Sequence, residues 1–284
     1  YQVSAENILS QKCRTIVPIG LLYVGQREMA ATVPEDGQIQ MLGTDDATTC
    51  HMVVLRHTGS GAACIAHLDG CGTDNASRKM LSLVSDLSTG NLPGRFELHM
   101  YGGFRDPNRT SEELSVKVLT AFNNLPVEIH LQTACISDMN NIKKNGVNHP
   151  GVCGVVVTLN SGKIERANFP EHGPDLPLRG ARHFTGSEEV MNIYDCKRGL
   201  LSIGPFNYST MDEIDLLCGL PDQFIREHLS TSPEQEPPHF EAAVRAALIQ
   251  IRDHPEPLKT VFKDGRPRLY RLESSGSWSQ VEEG

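Results

Sequence analysis

The 284-residue sequence lacks both long apolar runs and an excess of positive charge. No stretch of about 18 apolar residues occurs, which argues against a membrane-spanning helix. Its 26 Lys and Arg residues are outnumbered by 35 Asp and Glu residues, and the net charge is −9. This balance argues against a nucleic-acid backbone as the main partner and suits a positively charged substrate group such as a free α-amine.

Gly/Ser linkers, charged hinges and internal repeats are also missing. Apolar residues make up 39% of the chain, enough for a substantial core, and 25 Gly and 17 Pro are spread along it as in proteins with many turns. We therefore predict a single α/β domain over residues 1–284, with a catalytic hairpin at 42–70 and a C-terminal elaboration at about 205–284.

The hydrophobic periodicity predicts strands interrupted by helices. Predicted strands are Thr15–Val24, Arg27–Val33, Gln38–Leu42, Cys50–Arg56, Ala62–Leu68, Phe96–Tyr101, Glu128–Ile136, Val152–Leu159, Lys163–Phe169, Val190–Tyr194 and Leu200–Ile203. Predicted helices are Lys79–Leu87, Ser111–Phe122 and Phe240–Arg252, and a closing hairpin is predicted over Leu258–Val281. This order indicates helices packed on a sheet.

Eight cysteines lie far apart in a chain too long to need disulfide staples. Free thiols in the reducing cytoplasm, and also in the nucleus, fit this pattern best. A zinc site could combine Cys50, Cys64, His67 and Cys71, but the Cys-x₂₋₄-Cys spacing of ordinary zinc ribbons is missing. We therefore expect neither a metal nor an organic cofactor.

The most informative segment is a polar loop of small residues, Leu42–His51, that places Cys50 at the start of an apolar strand. A cysteine nucleophile needs this position, because a nearby imidazole or aligned backbone amides must lower its pKa from about 8.5. A buried, inert thiol is the alternative interpretation of Cys50.

Strand geometry selects one of three nearby histidines as the partner of Cys50. If the hairpin turns at Gly59-Ser60, paired positions sum to 119, and His67 lies opposite Met52. Side chains alternate along a strand, so His67 becomes a diagonal neighbour of Cys50, whereas His51 and His57 project to the other face. A bulge or a longer loop would reverse this parity.

These residues suggest a cysteine hydrolase. The Cys50 thiolate would attack a carboxamide carbon while backbone N–H groups near Thr49 and Cys50 hold the oxyanion. His67 would protonate the leaving ammonia and then activate the water that hydrolyses the thioester.

The sequence resembles the protein N-terminal asparagine amidohydrolase family over nearly its whole length. The resemblance is carried by five segments: Gly20–Val24, Leu42–His51 with Asp-Asp-Ala-Thr-Thr-Cys at its centre, Val53–Gly59, Gly102–Phe104, and Leu229–Pro233 with Glu236–Phe240. The family's nucleophile is the cysteine that ends Asp-Asp-Ala-Thr-Thr-Cys, which is Cys50. Family members generally begin upstream of Tyr1, so the resemblance implies a preceding segment.

A more distant resemblance connects the chain to bacterial chemoreceptor glutamine deamidases. Those enzymes place a Thr six positions before the Cys and a His 17 positions after it, which here are Thr44 and His67. The resemblance implies that the Thr44 hydroxyl orients His67. A Thr44 that only caps a turn is the alternative.

The resemblance to the amidohydrolases implies an α-β-β layered sandwich with mostly antiparallel sheets. It also implies that the substrate is a protein or peptide beginning with Asn, that no cofactor is needed, and that the reaction precedes arginylation and degradation through the N-degron pathway. We expect the chain to act as a monomer. Candidates for binding the substrate's α-ammonium are Asp45, Asp46 and Glu236, with Ser232 and His239 in the same pocket.

Other functions stay open at this point. The same Cys–His chemistry could serve a peptidase or a glutamine deamidase, because it attacks any suitably placed amide. A module that binds protein N-termini without turnover is the alternative from another class.

Overall fold

The computed structural model describes residues 2–88, 93–209 and 211–282. Its helices are α1 Gln2–Ser10, α2 Thr73–Leu87, α3 Thr110–Asn123, α4 Leu176–Ala181, α5 Ile214–Cys218, α6 Asp222–Leu229, α7 Phe240–Asp253 and α8 Pro257–Thr260. Its strands are β1 Arg14–Thr15, β2 Leu21–Tyr23, β3 Glu28–Thr32, β4 Met41–Thr44, β5 His51–His57, β6 Ala63–Leu68, β7 Phe96–Gly102, β8 Ile129–Ile136, β9 Asn141–Lys144, β10 Val147–Pro150, β11 Val155–Thr158, β12 Lys163–Asn168, β13 Met191–Asn192, β14 Tyr194–Asp195, β15 Leu200–Ile203, β16 Arg268–Leu272 and β17 Trp278–Val281. Within these ranges, no helix is both long and apolar enough to cross a bilayer.

Two sheets form the centre of the molecule. One has six strands in the order β13-β3-β6-β5-β7-β8, and the other has five in the order β1-β12-β11-β4-β2. Most of their pairings are antiparallel, as predicted; β1 with β12, β2 with β4, β3 with β13 and β7 with β8 are parallel. The β5–β6 hairpin is therefore central in the larger sheet.

The two faces of the larger sheet are covered differently. On one face, β5 and β6 pack against α2 and α3 in a cluster that includes Val53, Leu55, Cys64, Met80, Val84, Leu114 and Val118. On the other face, they pack against the five-stranded sheet in a cluster that includes Leu42, Met52, Val54, Ile65, Val155 and Val157. Because each fully buried Leu or Val contributes roughly 1.5–3 kcal/mol, both faces are strongly stabilised. The predicted α-β-β layering follows from this arrangement.

Several predicted elements need correction. The strand predicted over residues 15–24 is two short strands, since Pro18 separates them and cannot donate to a sheet ladder. The strand predicted at Gln38–Leu42 begins later, at Met41, and the helix predicted from Lys79 begins at Thr73. The predicted closing hairpin begins at Arg268; residues 257–260 form α8 instead.

Several short elements were not predicted from the sequence. Helices α1, α4, α5 and α6 and the β9–β10 hairpin have no counterpart among the predictions. Helices α4 to α6 are five to eight residues long, too short for a clear helical period. In the C-terminal part, β14 to β17 form a four-stranded antiparallel sheet.

Candidate active site

The β5–β6 hairpin has the predicted register. Cα partners run from His51 opposite Leu68 to Arg56 opposite Ala63, and Met52 faces His67. Cys50 immediately precedes β5, so it is the diagonal neighbour of His67 on the face that meets the second sheet. The inference that a turn at Gly59-Ser60 places these two side chains on one face is therefore confirmed.

The other two histidines of the hairpin face the helical layer, also as predicted. The Nε2 atom of His51 lies 2.6 Å from the Ser115 hydroxyl on α3. The Nδ1 atom of His57 lies 3.0 Å from the hydroxyl of Ser60 in the turn. Both rings are thus held on the side opposite to Cys50.

Thr44 holds His67 from the second sheet. It is the last residue of β4, and its hydroxyl oxygen lies 2.9 Å from the Nδ1 atom of His67. Both residues are buried, with exposures of 0% and 3%. This bond fixes the ring and leaves Nε2 as the nitrogen that remains for proton transfer.

Burial keeps both Cys50 and His67 neutral in the free protein. Desolvation raises the pKa of the Cys50 thiol well above its ordinary value, and the negative charges of Asp69 and Glu236 raise it further, against an opposing effect of Arg27. Desolvation lowers the pKa of His67 to about 4. A neutral thiol beside a neutral imidazole is the resting pair at pH 7.

The two aspartates of the loop that carries Cys50, between β4 and β5, have different environments. The carboxylate of Asp45 points inward, where it accepts hydrogen bonds from the Tyr23 hydroxyl and the Phe169 backbone N–H, both at 2.9 Å. The carboxylate of Asp46 is about one-third exposed and lies 2.9 Å from the Nε2 atom of His239. Of the two, Asp46 is therefore the one more exposed to solvent.

The loop at residues 230–239 contacts the loop that carries Cys50. The hydroxyl groups of Thr49 and Thr231 are 2.8 Å apart, and the Ser230 hydroxyl donates to the Glu236 carboxylate at 2.5 Å. Desolvation raises the pKa of Glu236. The negative charge of Glu236 adds to the effects of desolvation and Asp69 in raising the pKa of the Cys50 thiol.

Ser232 and two glycines at the end of β7 complete the surroundings of Cys50. The Ser232 hydroxyl oxygen is buried and has no hydrogen-bond partner among the described residues. The backbone N–H of Gly103 donates to the Cys50 carbonyl at 3.0 Å, and Gly102 pairs with His51. The Gly102-Gly103 landmark of the sequence is thus a neighbour of the nucleophile.

Sequence reasoning missed three residues near this site. Asp69 directly follows β6, and its negative charge acts on the Cys50 thiol. Extending the hairpin register by one pair beyond His51–Leu68 would match Asp69 with Cys50, so the register could have identified it. Arg27, whose Nε donates to Asp69 at 2.5 Å, and His172, 3.5 Å from Asp45, come from other strands and loops. No local pattern in the sequence predicts that Arg27 and His172 lie near the site.

The zinc site considered from the sequence, with Cys50, Cys64, His67 and Cys71 as ligands, does not form. Cys64 is buried beneath the helical layer, whereas Cys50 and His67 face the second sheet. Side chains on opposite faces of a sheet cannot converge on one ion.

Comparisons with known proteins agree with these observations. A family described as protein N-terminal asparagine amidohydrolase matches residues 11–280. Relatives with that name from Sus scrofa and Homo sapiens are 39% and 38% identical over 280 and 277 residues, covering 99% and 98% of this chain and 90% and 89% of theirs. An Arabidopsis thaliana relative of the same name is 28% identical over 286 residues, covering 91% of this chain and 80% of its own length.

Proposed function

Because the chain belongs to the protein N-terminal asparagine amidohydrolase family, it converts N-terminal Asn to Asp, and we propose that Cys50 is the nucleophile and His67 the general base. One observation carries this assignment: Thr44, 2.9 Å from Nδ1, holds the His67 ring on the face of the hairpin that Cys50 shares. Thr44 acts as a positioning residue in this proposal.

The reaction proceeds in two halves. His67 accepts the thiol proton at Nε2 as the Cys50 sulfur attacks the side-chain amide carbon, and backbone N–H groups at Thr49 and Cys50 stabilise the oxyanion. The protonated ring then gives its proton to the leaving NH₂ group, which departs as ammonia and leaves a thioester. His67 next takes a proton from water at Nε2, and the resulting hydroxide attacks the thioester carbon. The carbon–sulfur bond then breaks, the sulfur regains its proton from the His67 ring, and the product is released as a carboxylic acid that ionises to the carboxylate.

Recognition of the chain terminus rests on the acidic residues beside Cys50. Asp46 and Glu236 receive the α-ammonium in our proposal, while Asp45 supports the loop from inside through Tyr23 and Phe169. The buried Ser232 hydroxyl lacks a partner among the described residues, so a polar group of the substrate satisfies it. His239 orients the Asp46 carboxylate.

The charge of the substrate also prepares the nucleophile. Negative charges at Asp69 and Glu236 oppose thiolate formation in the free enzyme. A bound α-ammonium offsets this effect, because a nearby positive charge favours the ionised thiol. Activation of Cys50 is thereby coupled to the presence of a free N-terminus.

Mass spectrometry of four synthetic peptides tests the proposal. The peptides begin with Asn, begin with Gln, carry Asn internally, or begin with N-acetylated Asn. We expect a mass gain of about one unit, from replacement of NH₂ by OH, only in the peptide with a free N-terminal Asn. Cys50→Ala abolishes this change, and the control Cys71→Ala, which removes a neighbouring thiol, retains it.

Each other result has a distinct meaning. A Cys50→Ala protein as active as the wild type overturns the nucleophile assignment. Conversion of the Gln peptide identifies a glutamine deamidase, and peptide-bond cleavage identifies a peptidase. Processing of the acetylated peptide at an equal rate overturns the role of Asp46 and Glu236 in binding the ammonium.

The proposal extends to the setting of the reaction. The substrates are proteins or peptides with N-terminal Asn, and the Asp product is a substrate for arginylation and N-degron proteolysis. We propose that the enzyme acts as a monomer in the cytoplasm and also in the nucleus. Light scattering of the purified protein and microscopy of a tagged chain test these two points.

A further inference from the structure

Three metal-binding side chains converge beside the nucleophile loop. A carboxylate oxygen of Asp46 and one ring nitrogen each of His172 and His239 all lie within 4.8 Å of one another. The rings of His172 and His239 have centroids 5.9 Å apart, and His239 is in hydrogen-bond contact with Asp46. None of the three is part of the Cys50–His67 pair.

The three residues come from separate segments. Asp46 lies in the loop between β4 and β5, His172 follows β12, and His239 immediately precedes α7. His172 is held in place because its ring stacks on Tyr23, at 4.2 Å between centroids and 16° between planes. An ion at this point would connect three parts of the chain that are distant in sequence.

His172 gives an independent indication that this cluster binds a ligand. Its Nε2 atom is buried, lies 3.5 Å from Asp45 Oδ1, and has no hydrogen bond of good geometry among the described residues. At 3.5 Å the contact with Asp45 is longer than a normal hydrogen bond, so a ligand at a shorter distance would satisfy the Nε2 atom better.

We propose that Asp46, His172 and His239 form a binding site for a divalent transition-metal ion of the zinc class. Two imidazoles and one carboxylate are a ligand set that Zn²⁺ takes, with a fourth position left for water, whereas Mg²⁺ and Ca²⁺ prefer oxygen ligands alone. The distances between the three ligand atoms, up to 4.8 Å in this structure, shorten when the ion binds, since zinc–nitrogen and zinc–oxygen bonds are about 2.0–2.2 Å long.

The ion inhibits the enzyme and is not its cofactor. This consequence rests on the proposed function, because a metal bound to Asp46 removes the negative charge that receives the substrate's α-ammonium. The bound cation also repels that ammonium. Zinc and N-terminal Asn peptides therefore compete for one part of the site.

Metal binding is measured first, without turnover. Isothermal titration calorimetry with ZnCl₂ uses Cys50→Ala protein, which lacks the reactive thiol as a ligand. We expect one equivalent bound with a Kd in the micromolar range or tighter, corresponding to about −8 kcal/mol. His172→Gln and His239→Gln, each in the Cys50→Ala background, weaken binding at least ~10-fold.

The control is His228→Gln, which removes an exposed histidine of α6 outside the cluster and leaves binding unchanged. CoCl₂ supplies a spectroscopic check, because cobalt in a four-coordinate site gives intense visible absorption bands. Absence of saturable binding, or binding that all three variants share, overturns the site. These outcomes are independent of whether the chain deamidates asparagine.

Inhibition is tested separately on the protein with Cys50 intact. ZnCl₂ raises the KM for an Asn-first peptide more than it lowers kcat, and EDTA reverses the effect. The fraction of activity lost at a given zinc concentration is smaller in His172→Gln than in wild type. Equal inhibition of both proteins means that zinc acts on Cys50 and His67 directly, and overturns the regulatory part of the proposal.

Discussion

At the scale of single residues, the proposed chemistry depends on one hydrogen bond between two sheets. Thr44 and His67 are both buried, and their 2.9 Å contact is the one that sets the direction of the ring. An imidazole without this partner would have a buried, unpaired nitrogen and a freer orientation. In the proposed mechanism, the hydroxyl of Thr44, rather than its methyl group, is therefore the part that acts.

Substitution of Thr44 separates the contribution of its hydroxyl group from that of its methyl group. Thr44→Val keeps the shape but loses the hydroxyl, and we expect kcat to fall roughly 100-fold with little change in KM, because proton transfer loses its aligned base. Thr44→Ser keeps the hydroxyl and retains kcat within a few-fold. Steady-state kinetics with circular dichroism as a check of folding measures both; equal kcat values for the two variants would contradict the positioning role.

At the scale of elements, the end of β7 supports the start of β5. Gly102 has a φ of +112°, and a Cβ atom there would lie 2.4 Å from the Cys50 carbonyl oxygen. A side chain at this position must displace the backbone that carries the nucleophile. Close approach of two strands, rather than turn formation, explains why glycine stands here.

Gly102→Ala tests this contact. We expect a stability loss of about 1–3 kcal/mol from strain and a loss of activity greater than ~10-fold, because the carbonyl of Cys50 must move. The matched control is Gly146→Ala in the β9–β10 hairpin, where φ is +85° but no atom lies within 4 Å. The control also loses stability but keeps its activity. Urea denaturation and kcat measurements distinguish the two, and unchanged kcat in Gly102→Ala refutes the explanation.

At the scale of the whole molecule, three histidines of the central sheet are held in neutral form; His51 and His67 are buried, and His99 is half-buried. Desolvation lowers the pKa of His51, His67 and His99 to about 4 in each case. Their ordinary value in an unfolded chain is about 6.5. Between these two values the unfolded chain binds protons that the folded protein does not, so stability rises with pH.

The contribution of these histidines to the free energy of unfolding should therefore be at its full value above pH 6.5 and should decrease as the pH falls toward 4. We expect a loss of roughly 1–3 kcal/mol for each of the three histidines across this interval. Urea titrations at pH 7, 6 and 5 measure it. His99→Gln, which removes one such group away from Cys50, should reduce the slope; a flat profile in the wild type contradicts the prediction.

Much of the fold followed from local patterns, because long strands and helices repeat with fixed periods. The β5, β6, β7 and β8 strands and helices α3 and α7 lie where periodicity predicted them. Helices α4 to α6 did not follow, since five to eight residues contain too little repetition to distinguish a helix from a turn. Pro18 interrupts one predicted strand because it has no backbone N–H to donate to a sheet, a reason that is visible in the sequence.

The sequence by itself determined that Cys50 lies at the start of a strand. Through the turn at Gly59-Ser60, it also determined the face of the hairpin on which His67 lies. This was possible because side chains alternate with period two in both strands of a hairpin. Only the tertiary structure decided that Asp45 turns inward, whereas Asp46 meets His239 from 193 positions away. Such contacts depend on how sheets and loops pack across the molecule, which no local period of the chain encodes.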